Sequence, residues 1–352
     1  LVRMIRDRQV LDDSEAPDKE LMLHRSEETQ RMERLLQDAR RDETNCLLYV
    51  AGPPGVGKTM ITRAVARQQS ERLWTQAYVE CWGKSSNDIL YSVAQQTTSP
   101  TIHRQSTPVG AVTDALMAEP DSQRLVILDE ADQLEDTSCL FTLATMPRTA
   151  LVLVGNHMTD LYEGMDDRVR SRAGVGHEIR FTTYSTVQLT EILQARAEHG
   201  LRDGAVDDRI LERIALRAEG DARVAIRTLR VAAETALDEY DSRWEMRDAT
   251  ISADDVPDAT IVAKRTILED LRDKFDDHQT TMLDVLIDDG GKLTTSDVFD
   301  EYTERMDDPL SRRRMQDKFG KLIYYEAVRT EGTTSNKRYW ANELLVEKVA
   351  AS

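Results

Sequence analysis

The stretch "LLYVAGPPGVGKTMITRAVARQ", Leu47 to Gln68, constrains the fold of this 352-residue chain more than any other. Leu47-Leu48-Tyr49-Val50 reads as a buried strand, and the residues after Thr59 have helical spacing. Between them, Gly52-Pro53-Pro54-Gly55-Val56-Gly57-Lys58-Thr59 fits G-x-x-x-x-G-K-[ST] in the strand–loop–helix context that gives this spacing its meaning. Glycines let successive backbone N–H groups close around phosphate oxygens at the positive end of a helix. In such a loop Lys58 reaches the β- and γ-phosphates and the Thr59 hydroxyl ligates Mg²⁺; Met60 is counted with the same contact set. The expectation is a nucleoside-triphosphate site, ATP or ADP with Mg²⁺, on a parallel α/β sheet.

Two further strand ends carry matching chemistry. "RLVILDEADQL" places four apolar residues, Leu125 to Leu128, before Asp129-Glu130. A carboxylate at a strand's C-terminal edge can hold the Mg²⁺ shell, and its neighbour can polarise a water for attack on the γ-phosphate. Asp129 is assigned to the metal and Glu130 to the water. A third strand, "ALVLVGNH", ends at Asn156, whose amide could orient that water. Alternating strands and helices with these motifs imply a parallel sheet.

Beyond residue 182 the pattern turns helical, with apolar residues at i, i+3, i+4 and i+7 in "STVQLTEILQARAEHG", "VDDRILERIALRAEG" and "GDARVAIRTLRVAAETALDEY". This reads as a helical lid on the nucleotide sheet. Arg223, just inside the third helix, could swing its guanidinium toward the γ-phosphate and make lid closure depend on ATP versus ADP.

Composition narrows the class. No apolar run approaches the eighteen or so residues of a membrane span, and "LVRMIRDRQVLDD" has no signal-peptide core, so a cytoplasmic, nucleoid-associated protein is expected. Leu1 in place of Met suggests a truncated start or an alternative initiation codon. Cys46, Cys81 and Cys139 lack metal-site spacing and read as reduced thiols. Asp plus Glu total 64 against 46 Lys plus Arg, a formal net charge of −18. Such an excess speaks to solubility rather than fold; it fits a negatively charged, partner-repelling surface or, as the preferred reading, the solvation strategy of a halophile.

Against that background the exceptions are informative. From Arg265 to Pro309 there are 5 basic and 14 acidic residues, a net of −9. From Leu310 to Trp340 there are 8 basic and 3 acidic, a net of +5. Helical spacing puts Met315, Phe319, Leu322 and Ile323 on a buried face and leaves much of the basic set outward. "AVRTEGTTSNKRYWA" then alternates as a strand, a polar tip and a second strand. A helix followed by a basic hairpin is the pattern of a winged helix on double-stranded DNA. Its candidate contacts are Arg312, Arg313, Arg314, Lys318 and Lys321 on the helix and Lys337 and Arg338 on the wing, with Arg312 and Arg313 foremost.

Taken together, the Walker pair, Asn156, "MDDRVRSR", "RFTTYSTVQLTEIL" and "GDARVAIRTLR" followed by "ISADDVPDA" resemble an AAA+ ATPase of the initiator clade. The similarity is to the archaeal origin-recognition and replication-licensing family, of haloarchaeal type. "VLDDSEAPDKELMLHRSEETQRMERLL" is similar to that family's lead-in, in which a His-Arg pair precedes a helix packed on the ATP site. The resemblance implies that Asn156 is sensor 1 and Arg223 sensor 2, and that Tyr184 belongs to the nucleotide site. It also implies an arginine finger reaching a neighbouring subunit, from Arg172 first and Arg168 second. Between Lys84 and Met117 only "TPVGAVTDALM" loosely matches the family's DNA-touching insertion, where His103 and Arg104 are the nearby bases.

The implied architecture is α/β. An AAA+ P-loop parallel-sheet base spans 1–182, with a lead-in over 1–43; a helical lid spans 183–262; a C-terminal α+β winged-helix domain spans 263–352. The implied function is an ATP-dependent, slowly hydrolysing DNA-binding initiator that recognises replication origins and helps load the replicative minichromosome-maintenance helicase, with other initiator subunits as further partners. A clamp-loader-like or branch-migration motor, and a transcriptional or signalling ATPase switch, are the alternative readings.

Overall fold

The structure is a computed structural model that describes residues 4–13, 21–98, 102–134, 136–156, 161, 176–238, 249–333 and 336–346. The chain forms two compact units, Leu1–Ala253 and Asp254–Ser352.

The first unit opens on α1 (Ser26–Arg41), followed by β1 (Cys46–Ala51), α2 (Lys58–Gln68) and β2 (Trp74–Glu80). Two helices, α3 (Ser86–Thr97) and α4 (Val109–Met117), precede β3 (Gln123–Asp129). Then come α5 (Ser138–Thr145), β4 (Thr149–Gly155) and β5 (His177–Arg180). The strands form one sheet in the order β2-β3-β4-β1-β5, all neighbours parallel. Strands β3 and β4 are buried along their whole length, which is why their central residues, 125–128 and 150–154, read as unbroken aliphatic runs rather than as alternating ones.

Register then sets the site. Ala51 pairs with Gly155 and Leu128 with Leu153, so β1, β4 and β3 end at one edge of the sheet. The segments leaving those ends carry Gly52–Thr59, Asn156 and Asp129-Glu130, which are far apart in sequence and adjacent in space. Ligands in open α/β sheets bind in the crevice outside the carboxyl ends of the strands.

Three helices, α6 (Thr186–Gly200), α7 (Asp208–Arg217) and α8 (Ala222–Asp238), complete the unit. Ser185 and Gln188 close a reciprocal capping box on α6, and Asp207 caps α7 by accepting from the Ile210 amide. The N-terminal segment lies along this helical layer. Ile5 bridges Leu201, Met4 and Leu11 are buried, and the Arg196 guanidinium donates to the carbonyls of Val10 and Asp12. Arg227 of α8 meets Asp13 at 2.8 and 2.9 Å, both side chains less than a tenth exposed.

The second unit is α+β. It contains α9 (Asp255–Arg272), α10 (Asp277–Asp289), β6 (Leu293–Thr294), α11 (Thr295–Arg305), α12 (Arg312–Tyr324), β7 (Val328–Glu331), β8 (Arg338–Ala341) and α13 (Glu343–Val346). Its antiparallel sheet runs β6-β8-β7. Met315, Phe319 and Leu322 of α12 are buried as the helical spacing predicts, while Ile323 is only half-buried. Phe319 stacks on Tyr339 with ring centroids 4.0 Å apart, which fixes α12 to the β7–β8 hairpin. Among the described residues no helix is long and apolar enough to cross a membrane.

Candidate nucleotide site and cationic face

The P-loop's shape depends on its glycines. Gly55 and Gly57 sit at φ +71° and +87°, in the left-handed region. A Cβ on Gly57 would lie 3.3 Å from the Tyr184 hydroxyl and 3.4 Å from the Met60 terminal methyl, which puts both of those residues beside the loop. Pro54 is exposed, whereas Val56 is fully buried and its carbonyl accepts from Arg25 Nε at 3.1 Å.

Lys58 is buried at 8% exposure. Its ammonium donates to the carbonyls of Gly52 and Pro53, each at 2.8 Å, and to Asn156 Oδ1 at 2.7 Å. The lysine from α2 and the side-chain amide after β4 therefore meet. Burial pulls the Lys58 pKa down to about 8, against the attraction of Asp132. An anion bound there would favour the charged form. Asp132 accepts from the Asn156 amide at 2.8 Å and so fixes the chain as it leaves β4.

Asp129 is 5% exposed and holds three donors. Its Oδ1 accepts from the Thr59 hydroxyl at 3.1 Å and the Glu130 amide at 3.0 Å; its Oδ2 accepts from the Tyr78 hydroxyl at 2.6 Å. Burial raises its pKa, and those three donors oppose the rise. Glu130 follows with φ 54° and ψ 39°, a left-handed conformation uncommon for any residue but glycine.

The chemistry of this donor set fits ATP with Mg²⁺. A hydroxyl and a carboxylate 3.1 Å apart supply hard oxygen ligands. Among the described residues no group of three or more His, Cys, Asp or Glu is placed to hold a metal ion. Mg²⁺ is ordinarily bound through one or two protein oxygens plus substrate phosphates, so a larger cluster is not needed.

The lid reaches the loop through the start of α8. The Ala222 amide donates to the Gly55 carbonyl at 3.0 Å. A Cβ on Gly55 would come within 1.9 Å of Asp221 Oδ1, so the aspartate lies directly against this glycine. Asp221 also caps α8, accepting from the Arg223 and Val224 amides, and its Oδ2 accepts from Arg223 Nη2 at 2.9 Å. Arg223 thus stands at the loop, held by a neighbouring carboxylate.

Arg25 adds a support that spacing alone did not single out. Its Nη2 donates to the Thr182 carbonyl at 2.6 Å, and its guanidinium lies 3.9 Å from the Tyr184 ring centroid and 5.2 Å from that of Phe181. One buried cation thereby ties the lead-in, the P-loop and the base–lid junction. Arg168 and Arg172 lie outside the described residues. Arg104 pairs with Asp88 at the start of α3.

In the second unit, Arg312, Arg313, Arg314 and Arg338 are exposed, and Lys321 and Lys337 are half-buried. Arg312 Nη2 donates to Ser296 Oγ at 2.7 Å. Lys318 differs from its neighbours: its ammonium meets Asp276 at 2.6 Å and joins α12 to the N-terminus of α10. Lys337 lies 5.4 Å from the Tyr339 ring centroid.

A P-loop sheet in this strand order, with a helical layer bearing an arginine at the loop, defines an AAA+ ATPase. A family profile described as an AAA domain matches residues 40–162, and one described as a Cdc6 AAA+ ATPase-type lid domain matches residues 190–260. The chain belongs to the ORC1-type DNA replication proteins. It is 33% identical over 340 residues to ORC1-type DNA replication protein 9 of Halobacterium salinarum, covering 96% of this chain and 93% of that protein. It is 34% identical to ORC1-type DNA replication protein 1 of the same organism, covering 89% and 100%. The fold is also that of the Aeropyrum pernix ORC1 protein, solved in complex with DNA, with TM-score 0.77, 24% identity and coverage of 100% and 98%.

Proposed function

We propose that this chain is an ATP-dependent DNA-binding initiator that recognises replication origins and helps load the replicative minichromosome-maintenance helicase. The carrying observation is the net +5 of residues 310–340, borne largely by exposed arginines of α12, on a family member whose whole chain is −18. A double helix carries closely spaced phosphates, and such a cationic face is where an acidic molecule can accept them. The order helix, short strand, helix, helix and hairpin supports a winged helix over 263–352, with a base over 1–182 and a lid over 183–262. Arg312, Arg313 and Arg314 would meet the groove or its phosphates, and Arg338 with Lys337 the flanking backbone.

At the other site, Lys58 and the P-loop amides would bind phosphate, with Tyr184 and Met60 lining the loop. Thr59 and Asp129 would hold Mg²⁺, which on binding neutralises developing phosphate charge. Asn156 orients the water and Glu130 polarises it by accepting its hydrogen bond. Arg223 exchanges Asp221 for the γ-phosphate, so the lid senses the nucleotide through one guanidinium. Hydrolysis on this reading is slow and resets a switch. Arg172, or else Arg168, supplies a finger to a neighbouring initiator subunit.

Genome-wide mapping of bound DNA tests the proposal. Wild type should occupy origin regions, Arg313→Ala should weaken occupancy, and Lys58→Ala should abolish nucleotide-dependent function without unfolding the chain. Occupancy concentrated at promoters would refute it.

A further inference from the structure

Tyr78 belongs to none of the sequence motifs, yet its hydroxyl makes the shortest hydrogen bond to Asp129. It lies on β2, beside Ile127 of β3, and reaches the end of β3. Asp129 Oδ2 accepts from it at 2.6 Å, while Oδ1 is turned toward the Thr59 hydroxyl and the Glu130 amide. The two oxygens are therefore differentiated: one by a tyrosine from the neighbouring strand, the other by the P-loop helix. The Arg63 guanidinium of α2 lies over the Tyr78 ring, 4.9 Å from its centroid. The ring thus carries a cation over it while its hydroxyl is tied to a carboxylate.

We propose that Tyr78 is a positioning residue that sets the orientation of the Asp129 carboxylate and so determines how tightly the site couples Mg²⁺ to nucleotide binding. This rests on the assignment of Asp129 and Thr59 to the cation. A buried carboxylate can rotate about its Cβ–Cγ bond, and each orientation presents different lone pairs. With the Tyr78 donor in place, Oδ2 is committed to the strand side and Oδ1 faces Thr59. Without it, Asp129 keeps two donors on one oxygen and none of comparable strength on the other, and its orientation loosens. Cation ligation depends on such supporting hydrogen bonds as well as on the ligands themselves. Nucleotide binding without a divalent cation should not depend on it, because the Tyr78 hydroxyl bonds to Asp129, whereas the Lys58 ammonium bonds to Gly52, Pro53 and Asn156.

The experiment titrates a fluorescent ATP analogue into the full chain, first in EDTA and then across a Mg²⁺ series. Tyr78→Phe removes only the hydroxyl and leaves the ring for Arg63. A hydrogen bond to a charged group sets the expected scale, so the Mg²⁺ midpoint should rise about tenfold. Affinity in EDTA should stay within about twofold of wild type on the same reasoning, and high Mg²⁺ should restore full binding. Asp129→Asn is the control and should lose the Mg²⁺ response. If Asp129→Asn loses it and Tyr78→Phe keeps the wild-type midpoint, the role given to Tyr78 is wrong. Equal weakening of Tyr78→Phe in EDTA and in Mg²⁺ would reduce Tyr78 to a structural support and overturn the proposal. If Asp129→Asn itself responds like wild type, the cation assignment fails and the role of Tyr78 fails with it. Should Tyr78→Phe melt early, 3-fluorotyrosine at position 78 keeps the ring and strengthens the donor. The midpoint should then fall, and a stationary midpoint would again overturn the proposal.

Discussion

Gly55→Ala measures how firmly the lid is seated on the P-loop, and Gly83→Ala supplies its reference. Both glycines are left-handed, at φ +71° and +64°. Each substitution therefore costs about 1–2 kcal/mol from backbone strain alone. At Gly83 nothing lies within 4 Å of the new methyl. At Gly55 the methyl would meet Asp221 Oδ1 at 1.9 Å, and the aspartate must move. Moving it removes the cap on α8, worth about 1 kcal/mol. It also strains the Ala222–Gly55 backbone bond, worth about 1 kcal/mol. The Arg223–Asp221 pair, whose arginine side chain is 37% exposed, is screened and adds only about 0.5 kcal/mol. Gly55→Ala should cost about 4 kcal/mol and Gly83→Ala about 1.5 kcal/mol, the difference being the Asp221 contact. By the usual scaling for a unit of this size, that is about 10 °C against about 4 °C in melting temperature. A thermal melt of each purified variant decides it. Asp221→Ala introduced into Gly55→Ala should lower the melting point no further, because the contact is already gone. Equal shifts for the two glycine variants, or full additivity in the double variant, would show that Asp221 does not hold the lid to the loop.

Other perturbations read other parts of the molecule. Arg227→Met leaves Asp13 buried without its bidentate partner and should cost about 3 kcal/mol in urea unfolding; Asp13→Leu added to it should recover part of that loss. Asp276 is held below the ordinary carboxylate value of 3.8: burial opposes this, but the Lys318 ammonium and the Gln279 amide outweigh it. A depressed carboxylate stabilises the fold above its unfolded pKa and loses that contribution as pH falls through its folded value. Acid unfolding of residues 254–352 should therefore steepen below about pH 4, and Asp276→Asn should flatten that limb in circular dichroism. Arg313→Ala should weaken duplex binding and reduce the slope of log K against log salt by about 1. Lys318→Ala, whose ammonium is engaged by Asp276, should cost more in melting temperature than in DNA affinity.

What could be read from the sequence divides along a physical line. The strands β1, β3 and β4 announce themselves because burial on both faces leaves continuous aliphatic runs, and the residues at their ends carry the chemistry. The loop from Gly52 to Thr59 is legible because its phosphate geometry demands a fixed spacing. The buried face of α12 follows from helical period, apart from the half-buried Ile323. Tyr78 and Asp221 escaped because their roles arise from pairings across the fold, whereas Arg25 was flagged only through the resemblance, as part of the His-Arg pair of the lead-in. Tyr78 reaches Asp129 only through strand order, and nothing in "TQAYVEC" marks it. Asp221 carried a signal, a capping residue before a helical run, but capping does not reveal that the helix ends on Gly55. Lys318 looked like one cation among many because its partner Asp276 lies forty-two positions away, one of many carboxylates in a net-acidic stretch.

On the proposed function, the charge distribution limits which kind of DNA recognition is open to this chain. If its acidic composition reflects a halophile's solvation strategy and the surrounding salt is multimolar, the Debye length there is about 3 Å or less. Counterion release, which dominates phosphate binding in dilute salt, is then a small term. Exposed arginines such as Arg313 and Arg314 would act less by long-range attraction than by direct, geometrically matched hydrogen bonds to groove edges and phosphates. Affinity for a specific duplex should then survive high salt far better than affinity for random sequence, since shape and deformation carry the discrimination. Electrophoretic or anisotropy titrations from 0.1 to 2 M KCl with origin and scrambled duplexes measure the two slopes. Parallel slopes, with specific and random binding lost together, would mean that the cationic face is only an electrostatic anchor.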